Sequence, residues 1–522
     1  MSSIFFRSGI RQFEVITLIV FFQLIALIYG KLISGSSLLM LTFAVTIFTS
    51  FYVKQFYKFS ILSVCYFLIV LSVSILVTFA TKDFSFDGNA YHLAAIKLIA
   101  SGNNLYKCKT ISDFVAHYPK NSWLISGAIL NITNNINLTR IPVWLSFFSL
   151  VILTRVLFLD RNYYPLAIPN CIKPLALSVL ILPAIYAGQL LTNYNDYYLY
   201  CNLISCAILL VIYSCDADIK KIYMAIFFNL LAFSIKFNGV PLAALESLFI
   251  VYVLWKSGKI LSIFGYLILI FWIIFDPIIL NALDYGNPVY PLFTGGVDPI
   301  SLVSVWHESH KDFPEIVRAI QAIFLKFGTT QVSYSYPFAL DTGVLSNLGR
   351  PDTFAGGQGI FGSTIFILIV VLIALLFLMR NYKKSLILLG SVIVSLSYPG
   401  SSFARYAFLY PLLPILVMIY SQYPHRLGVL KSVVIVILTI NFSVAIAGTM
   451  ALQLIKEERL IYVESNQENI VVGTRYFYPS YLVDGYFTSN QIHGTYVKGC
   501  FESAWYRYVK SNVFKVCDGR LL

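Results

Sequence analysis

Twenty consecutive residues, Ile61 to Ala80, contain no charged side chain. A run of that length spans the hydrocarbon core of a bilayer as a helix, about 30 Å at 1.5 Å per residue. A second run, Ile360 to Met379, is as clear. Further apolar runs start near Phe13, Leu38, Ile141, Pro174, Tyr197, Ile222, Gly239, Leu261, Ser385, Tyr406 and Val433. The reading is an all-α polytopic membrane bundle of about 13 helices. Composition excludes the alternatives: 58% of residues are apolar and only 12% charged, against about 25% charged in soluble proteins. The eight cysteines form no CxxC pair. Cys65, Cys201 and Cys206 lie in apolar runs and read as packing residues.

The net charge of +13 reads first as topology, because Lys and Arg gather in cytoplasmic loops. With the N-terminus inside, the inner loops receive Arg7 and Arg11, Lys54 and Lys58, Arg155 and Arg161, and Lys220 and Lys221. They also receive Lys256 and Lys259, Arg380, Lys383 and Lys384, and Arg426 and Lys431. This alternation requires that Trp123 to Ile132 not cross, and the stretch is placed along the outer surface. Three long segments then fall outside: about 81–140, about 283–358, and a tail from about 456 to 522. The chain divides into a membrane domain, 1–455, and a C-terminal domain, 456–522, expected to fold as a small α/β cap. Cys500 and Cys517 lie in that cap, where an oxidising compartment favours a disulfide. No cleavable signal pattern precedes the first apolar run.

Polar residues near the outer ends of spans carry the chemistry. Asp83 and Asp87 follow the Ile61–Ala80 run at four-residue spacing, which places them on one face of a helix. Carboxylates at a bundle mouth serve as general base or metal ligand. They precede an apolar segment that opens with Tyr91 and His92. His92 reads first as a satisfied structural residue, and both are substrate-side candidates. Lys97 and Lys120 are point charges suited to a phosphate or to lipid headgroups. Gln189, Asn193 and Asp196 gather where the chain turns and re-enters, so that Asp196 can face the first-loop carboxylates. Lys236 ends an apolar run at the same side, a depth where a cation needs a partner. Glu246 sits inside the next span and reads as a structural hydrogen-bonding group. The segment FPEIVRAIQAIFLKF places Ile316, Ile320, Ile323, Phe324 and Phe327 at helical spacing; it reads as an amphipathic helix on the membrane or as the core helix of its loop. His307 and His310 form only a weak HxxH. The Pro351–Gly359 stretch is glycine-rich and allows close backbone approach to a ligand. Arg405, beside Tyr406, is the best placed guanidinium for a bidentate phosphate contact.

The order FDGNAYH, HYPK, QLLTNYND, KFNG, YGNPVYP, PDTFAGGQG and ARY resembles the GT-C superfamily of polytopic membrane glycosyltransferases over roughly residues 80–410. Gln358 departs from the aromatic that relatives often carry, and the tail after about 455 matches no part of the pattern. The resemblance implies a sugar donor on polyprenyl phosphate, such as undecaprenyl phosphate, and transfer on the periplasmic side of the inner membrane. Asp87 matches the family's first-loop catalytic Asp, and Asp196 the second acidic position. The acceptor expected is a surface glycan, lipopolysaccharide or O-antigen above others, with a protein acceptor as the alternative. One displacement implies inversion at the anomeric carbon. Some relatives use a divalent metal, Mg or Mn, which Asp83 and Asp87 would hold; others do not. No nucleic-acid partner is expected, because there is no basic soluble domain. Two competing readings are an O-antigen polymerase, disfavoured by the few arginines in 283–358, and a flippase of lipid-linked sugars, disfavoured by the absence of repeated halves.

Overall fold

The computed structural model describes residues 9–35, 59–81, 83, 92–102, 118–159, 181, 189–288, 314–324, 370–371, 373–374, 377–378, 380 and 382–397. Among these residues every regular element is helical and there is no strand. The elements are α1 (Gly9–Ile33), α2 (Ile61–Ala80), α3 (Leu93–Ala100), α4 (Asn121–Thr133), a 3-10 turn (Ile136–Arg140) running into α5 (Ile141–Leu159), α6 (Asp196–Asp216), α7 (Ile219–Ile235), α8 (Val240–Lys256), α9 (Ile260–Tyr285), α10 (Glu315–Phe324) and α11 (Tyr382–Ser397). Four stretches are long and apolar enough to cross a membrane: Gln12–Ile33, Ile61–Ala80, Ile136–Leu157 and Asp196–Asp216. Counted as one span, the two parts of α9, bent by 53° around Pro277, add a fifth. Proline removes one ladder donor and crowds the preceding turn, which accounts for the bend. The chain is thus a helical membrane protein. The expected C-terminal cap, the Cys500–Cys517 pair and the spans near Leu38, Pro174, Tyr406 and Val433 lie outside the described residues, Ile181 apart.

The helix ends sort into two sets. At one end Glu14 of α1 accepts hydrogen bonds from Ser60 N (2.9 Å), Ser60 Oγ (3.0 Å) and Ser63 Oγ (2.6 Å) at the start of α2. Lys221 at the start of α7 lies over the Phe13 ring, 5.0 Å from its centroid, and pairs with Asp216 and Asp218 at 2.7 Å each. Asp218 also caps α7 by accepting from Lys220 N. Ala217, at φ 53°, closes α6 and reverses the chain, so that α6 and α7 pack as an antiparallel hairpin. The opposite end gathers the last turn of α2, the first turns of α3, α4, α5, α6 and α8, and the last turn of α7; the candidate site lies there.

The non-crossing stretch around Trp123 is α4. At 13 residues it is about 20 Å long, too short to span. It does not lie along an outer surface, however. Asn121 through Ile129 are all buried, against α1 and α3. Two glycines admit it. A Cβ at Gly30 of α1 would sit 2.1 Å from the Leu124 carbonyl oxygen, and one at Gly127 would sit 2.5 Å from Ile99 Cγ2. Helix backbones approach this closely only where the side chain is absent.

Mid-bundle polar groups are paired, as an apolar surround requires. Tyr198 donates to Gln23 Oε1 at 2.5 Å, and Gln23 bonds Ser146 at 3.3 Å. Asn229 donates to the Ala243 carbonyl (2.8 Å) and to Glu246 Oε2 (3.1 Å), and accepts from Ser247 (3.0 Å) and Tyr266 (2.5 Å). That cluster joins α7, α8 and α9, and Glu246 has the structural role expected of it. Cys201 and Cys206 are buried, as expected for packing residues, but Cys65 is exposed on α2, whose outward face also shows Leu68, Ile69 and Leu76. The amphipathic segment folds as α10, with Ala319 buried and α11 packed beside it. Its Ile320 is 37% exposed, so the apolar stripe is only partly what the bundle covers.

Candidate functional site

The site is built on the α6–α7 hairpin. Asp196 is the first residue of α6, where the positive end of the helix dipole favours an acid. Lys236 follows the last turn of α7, where the negative end favours a cation. Because the two helices run antiparallel, these ends are neighbours. Lys236 Nζ lies 2.6 Å from Asp196 Oδ1, with Asp196 wholly buried. The extended backbone at Lys236 (φ −159°, ψ 144°) turns the chain into the 3-10 turn Phe237–Gly239. Gly239 is needed there: a Cβ would meet Leu199 Cδ1 at 2.5 Å and the Ala232 carbonyl at 2.9 Å.

Gln189 seats the start of α6. Its Oε1 accepts from Tyr197 N at 2.9 Å, which satisfies a first-turn donor, and its Nε2 reaches Asp196 Oδ2 at 3.4 Å. Between Gln189 and Asp196 the chain turns, and Asn193 reaches back to the first-loop acid. Asp83 Oδ2 accepts from both Asn193 N (2.6 Å) and Asn193 Nδ2 (2.9 Å). Asn193 Oδ1 in turn accepts from Thr139 at 2.9 Å. Asp83 and Asp196, far apart in sequence, are therefore tied to the two ends of one short turn.

Arg140 holds that turn against α2. Its guanidinium is 1% exposed. It donates to the carbonyls of Thr78 (2.8 Å), Thr81 (2.5 Å) and Leu191 (2.7 Å), and to Thr81 Oγ1 (3.1 Å). The last carbonyls of α2 have no acceptor role within the helix, and a cation there also opposes the dipole. The Asp83 carboxylate supplies the opposite charge close by. Sequence reasoning passed over Arg140. The available signal was a lone arginine opening an apolar run after the uncharged stretch NITNNINLT.

His92 stands at the start of α3, 3% exposed. Its Nδ1 accepts from Trp123 Nε1 at 2.7 Å, so that nitrogen carries no proton. Asn195 Nδ2 lies 3.4 Å from the same nitrogen, and the Tyr194 ring is 5.8 Å away between centroids. His92 thus joins α3 to α4 and to the turn before Asp196, which favours its structural reading over substrate contact. Lys97 is on the exposed face of α3. Lys120, by contrast, is buried; its Nζ donates to the Tyr118 carbonyl at 3.1 Å, and the Tyr118 ring lies 6.1 Å from that of Phe237. Asp87, Tyr91, Arg405 and Tyr406 lie outside the described residues.

Among the described residues no three His, Cys, Asp or Glu side chains gather as a metal site. Asp83 Oδ2 is occupied by the two Asn193 N–H groups, so the Asp83–Asp87 metal reading turns on Asp83 Oδ1 and on Asp87. The arrangement as it stands offers a buried acid–ammonium pair and a second carboxylate oriented by two donors, at one end of an apolar bundle. No family model, curated protein or solved structure matches this chain.

Proposed function

We propose that this chain is a membrane glycosyltransferase that moves a sugar from a polyprenyl-phosphate donor to a surface glycan, with lipopolysaccharide or O-antigen the favoured acceptor, on the periplasmic side of the inner membrane. The observation that carries the reading is the convergence of Asp83, Asp196 and Lys236 at one end of a helical bundle. A donor with a lipid tail presents its sugar at such a mouth and nowhere else. Charge supports the orientation: the other end holds Lys220, Lys221, Lys256 and Lys259, as cytoplasmic turns do. In this reading the bundle has about 13 spans, the N-terminus is cytoplasmic, and residues 456–522 form a periplasmic cap that shapes the acceptor site.

The chemistry divides among the residues as follows. An acceptor hydroxyl is a weak nucleophile, and Asp87 accepts its proton as it attacks the anomeric carbon. The leaving phosphate bears charge already and needs cations rather than an acid. Asp196 is committed to Lys236, so the pair acts as a fixed dipole at the mouth and Asp196 is a positioning residue. Asp83 is held by Asn193 and orients the first loop that carries Asp87. A divalent metal, where bound, would lie on Asp83 and Asp87 and polarise the phosphate. Direct displacement inverts the anomeric centre.

The test is transfer by purified protein from a synthetic polyprenyl-phosphate hexose to isolated acceptor glycan. Asp87→Asn is expected to lower the rate about 100-fold or more. Unchanged transfer by Asp87→Asn removes the base assignment. Mass analysis of cell glycans with and without the protein adds a second reading. A gain of one hexose per repeat supports the transferase, and altered chain length supports a polymerase instead. Movement of lipid-linked sugar without transfer supports a flippase.

A further inference from the structure

The turn between α8 and α9 concentrates positive charge. Helix α8 ends at Lys256 and α9 begins at Ile260, so three residues reverse the chain. Gly258 allows this at φ 66°. Gly258 N then bonds the Trp255 carbonyl (3.0 Å) and Lys259 N the Leu254 carbonyl (2.8 Å). Lys256 lies in the last turn of α8, where the helix dipole favours a cation. Lys259 is the N-cap of α9, where the dipole disfavours one. It supplies no capping bond, and the first turn of α9 holds no acid.

Lys220 joins them. Helices α7 and α9 both start at this end, and Tyr223 Oη and Ser262 Oγ bond across them at 2.9 Å. Lys220 stands three residues before Tyr223 and Lys259 three before Ser262. Each is therefore about 4.5 Å nearer this end than the bonded pair, and the two lysines flank one seam between packed helices. Lys220, Lys256 and Lys259 are all exposed, and among the described residues none of them forms an ion pair with a carboxylate. The nearby acids, Asp216 and Asp218, are both engaged by Lys221 at 2.7 Å. Three cations grouped this way repel one another, and an anion seated among them relieves the repulsion.

Apolar surface leads away from the same cluster. Leu248, Tyr252 and Trp255 recur on α8 at steps of four and three residues, and Ile260, Phe264 and Leu267 recur at the same steps on α9; all six are exposed. The two helices pack side by side and antiparallel, so both stripes run from the turn into the membrane. Trp255, 67% exposed beside Lys256, has the place that indole takes at a membrane–water interface.

We propose that Lys220, Lys256 and Lys259 bind the phosphate of an anionic phospholipid whose acyl chains lie along the exposed stripes of α8 and α9. Charge complementarity selects the head group, and the two stripes match two hydrocarbon chains. The site is at the end of the bundle opposite Asp196 and Lys236, so sugar transfer, present or absent, has no bearing on it.

The test uses the full-length protein, delipidated and then titrated with phosphatidylglycerol or phosphatidylcholine of the same acyl chains, read by native mass spectrometry. Phosphatidylglycerol is expected to bind at least about tenfold more tightly, from a contribution of about fivefold for each lysine near a lipid surface. In Lys220→Gln/Lys256→Gln/Lys259→Gln the two lipids should bind within about twofold of each other. Sodium chloride at about 1 M, where the screening length falls to about 3 Å, should remove the preference from the wild-type protein and reads the same contrast if the triple variant does not fold. A photoreactive phosphatidylglycerol should cross-link within residues 248–267. Equal binding of the two lipids by the wild-type protein overturns the site, as does a preference that survives in the triple variant or at high salt. Displacement of the lipid by inorganic phosphate alone, or cross-links only elsewhere, also overturns it.

Discussion

Lys236 Nζ and Asp196 Oδ1 are 2.6 Å apart, and this pair joins the negative end of α7 to the positive end of α6. Its value lies in completeness. Removing one partner leaves a buried charge, at about 3–5 kcal/mol, whereas replacing both with apolar groups of like size is often neutral. Asp196→Asn and Lys236→Met should each destabilise the protein by about that amount. The double variant Asp196→Leu/Lys236→Met should regain most of it. Thermal or denaturant unfolding in detergent completes the cycle; additive losses would show that the pair does not act as a unit.

Arg140 should tolerate no conservative exchange. Arg140→Lys keeps the charge but loses the planar fork that reaches three carbonyls on two segments. We expect a loss of about 2–3 kcal/mol, visible as a lower unfolding midpoint. Because Arg140 bonds both Thr81 and Leu191, cross-linking between cysteines placed at those two positions should also slow. A wild-type midpoint for Arg140→Lys would show that charge alone is what the site needs.

Asn193→Leu tests how Asp83 is held. It removes one of the two donors to Asp83 Oδ2 and the acceptor for Thr139, while leaving Asn193's backbone N–H in place. If the first loop is oriented through Asp83, transfer should fall about tenfold with KM little changed. A changed KM at constant kcat would place Asn193 in substrate binding instead.

At the opposite end, acid should loosen the α6–α7 turn. Partial burial works against the Asp218 charge, but the hydrogen bond from Lys221, the Lys220 N–H and both ammonium charges prevail and hold its carboxyl below the usual range. A depressed value stabilises the fold above the unfolded carboxylate pKa of about 3.9. That contribution fades as pH falls from there through the folded value. The wild-type midpoint should therefore drop more steeply below about pH 4 than that of Asp218→Asn, measured from pH-dependent thermal unfolding. Parallel curves would assign the acid sensitivity elsewhere.

Much of this was readable from the chain. Uncharged runs of twenty residues announce helices in lipid, and basic residues gather in alternate connections between the runs. Asp83, Gln189, Asp196 and Lys236 stood out because polar groups at span ends are costly without a purpose. Their pairing was not readable: Asp196 meets Lys236 only because a two-residue turn makes α6 and α7 antiparallel, so that the start of one lies beside the end of the other. Arg140 was hidden because its partners are backbone carbonyls, which carry no side-chain signature. The interior place of α4 was hidden for a similar reason. It depends on Gly30, a residue that in an apolar run looks like any other small one, yet is the only kind that lets the Leu124 carbonyl approach.

That crossing has a bearing on how the protein is made. Gly30 is translated well before Leu124, and at about 5–20 residues per second the groove on α1 waits on the order of seconds for its occupant. During that interval the first helix sits in the membrane with its notch facing lipid or the insertion machinery. Biogenesis thus includes a late docking event in which a short, non-spanning helix displaces whatever has guarded the notch.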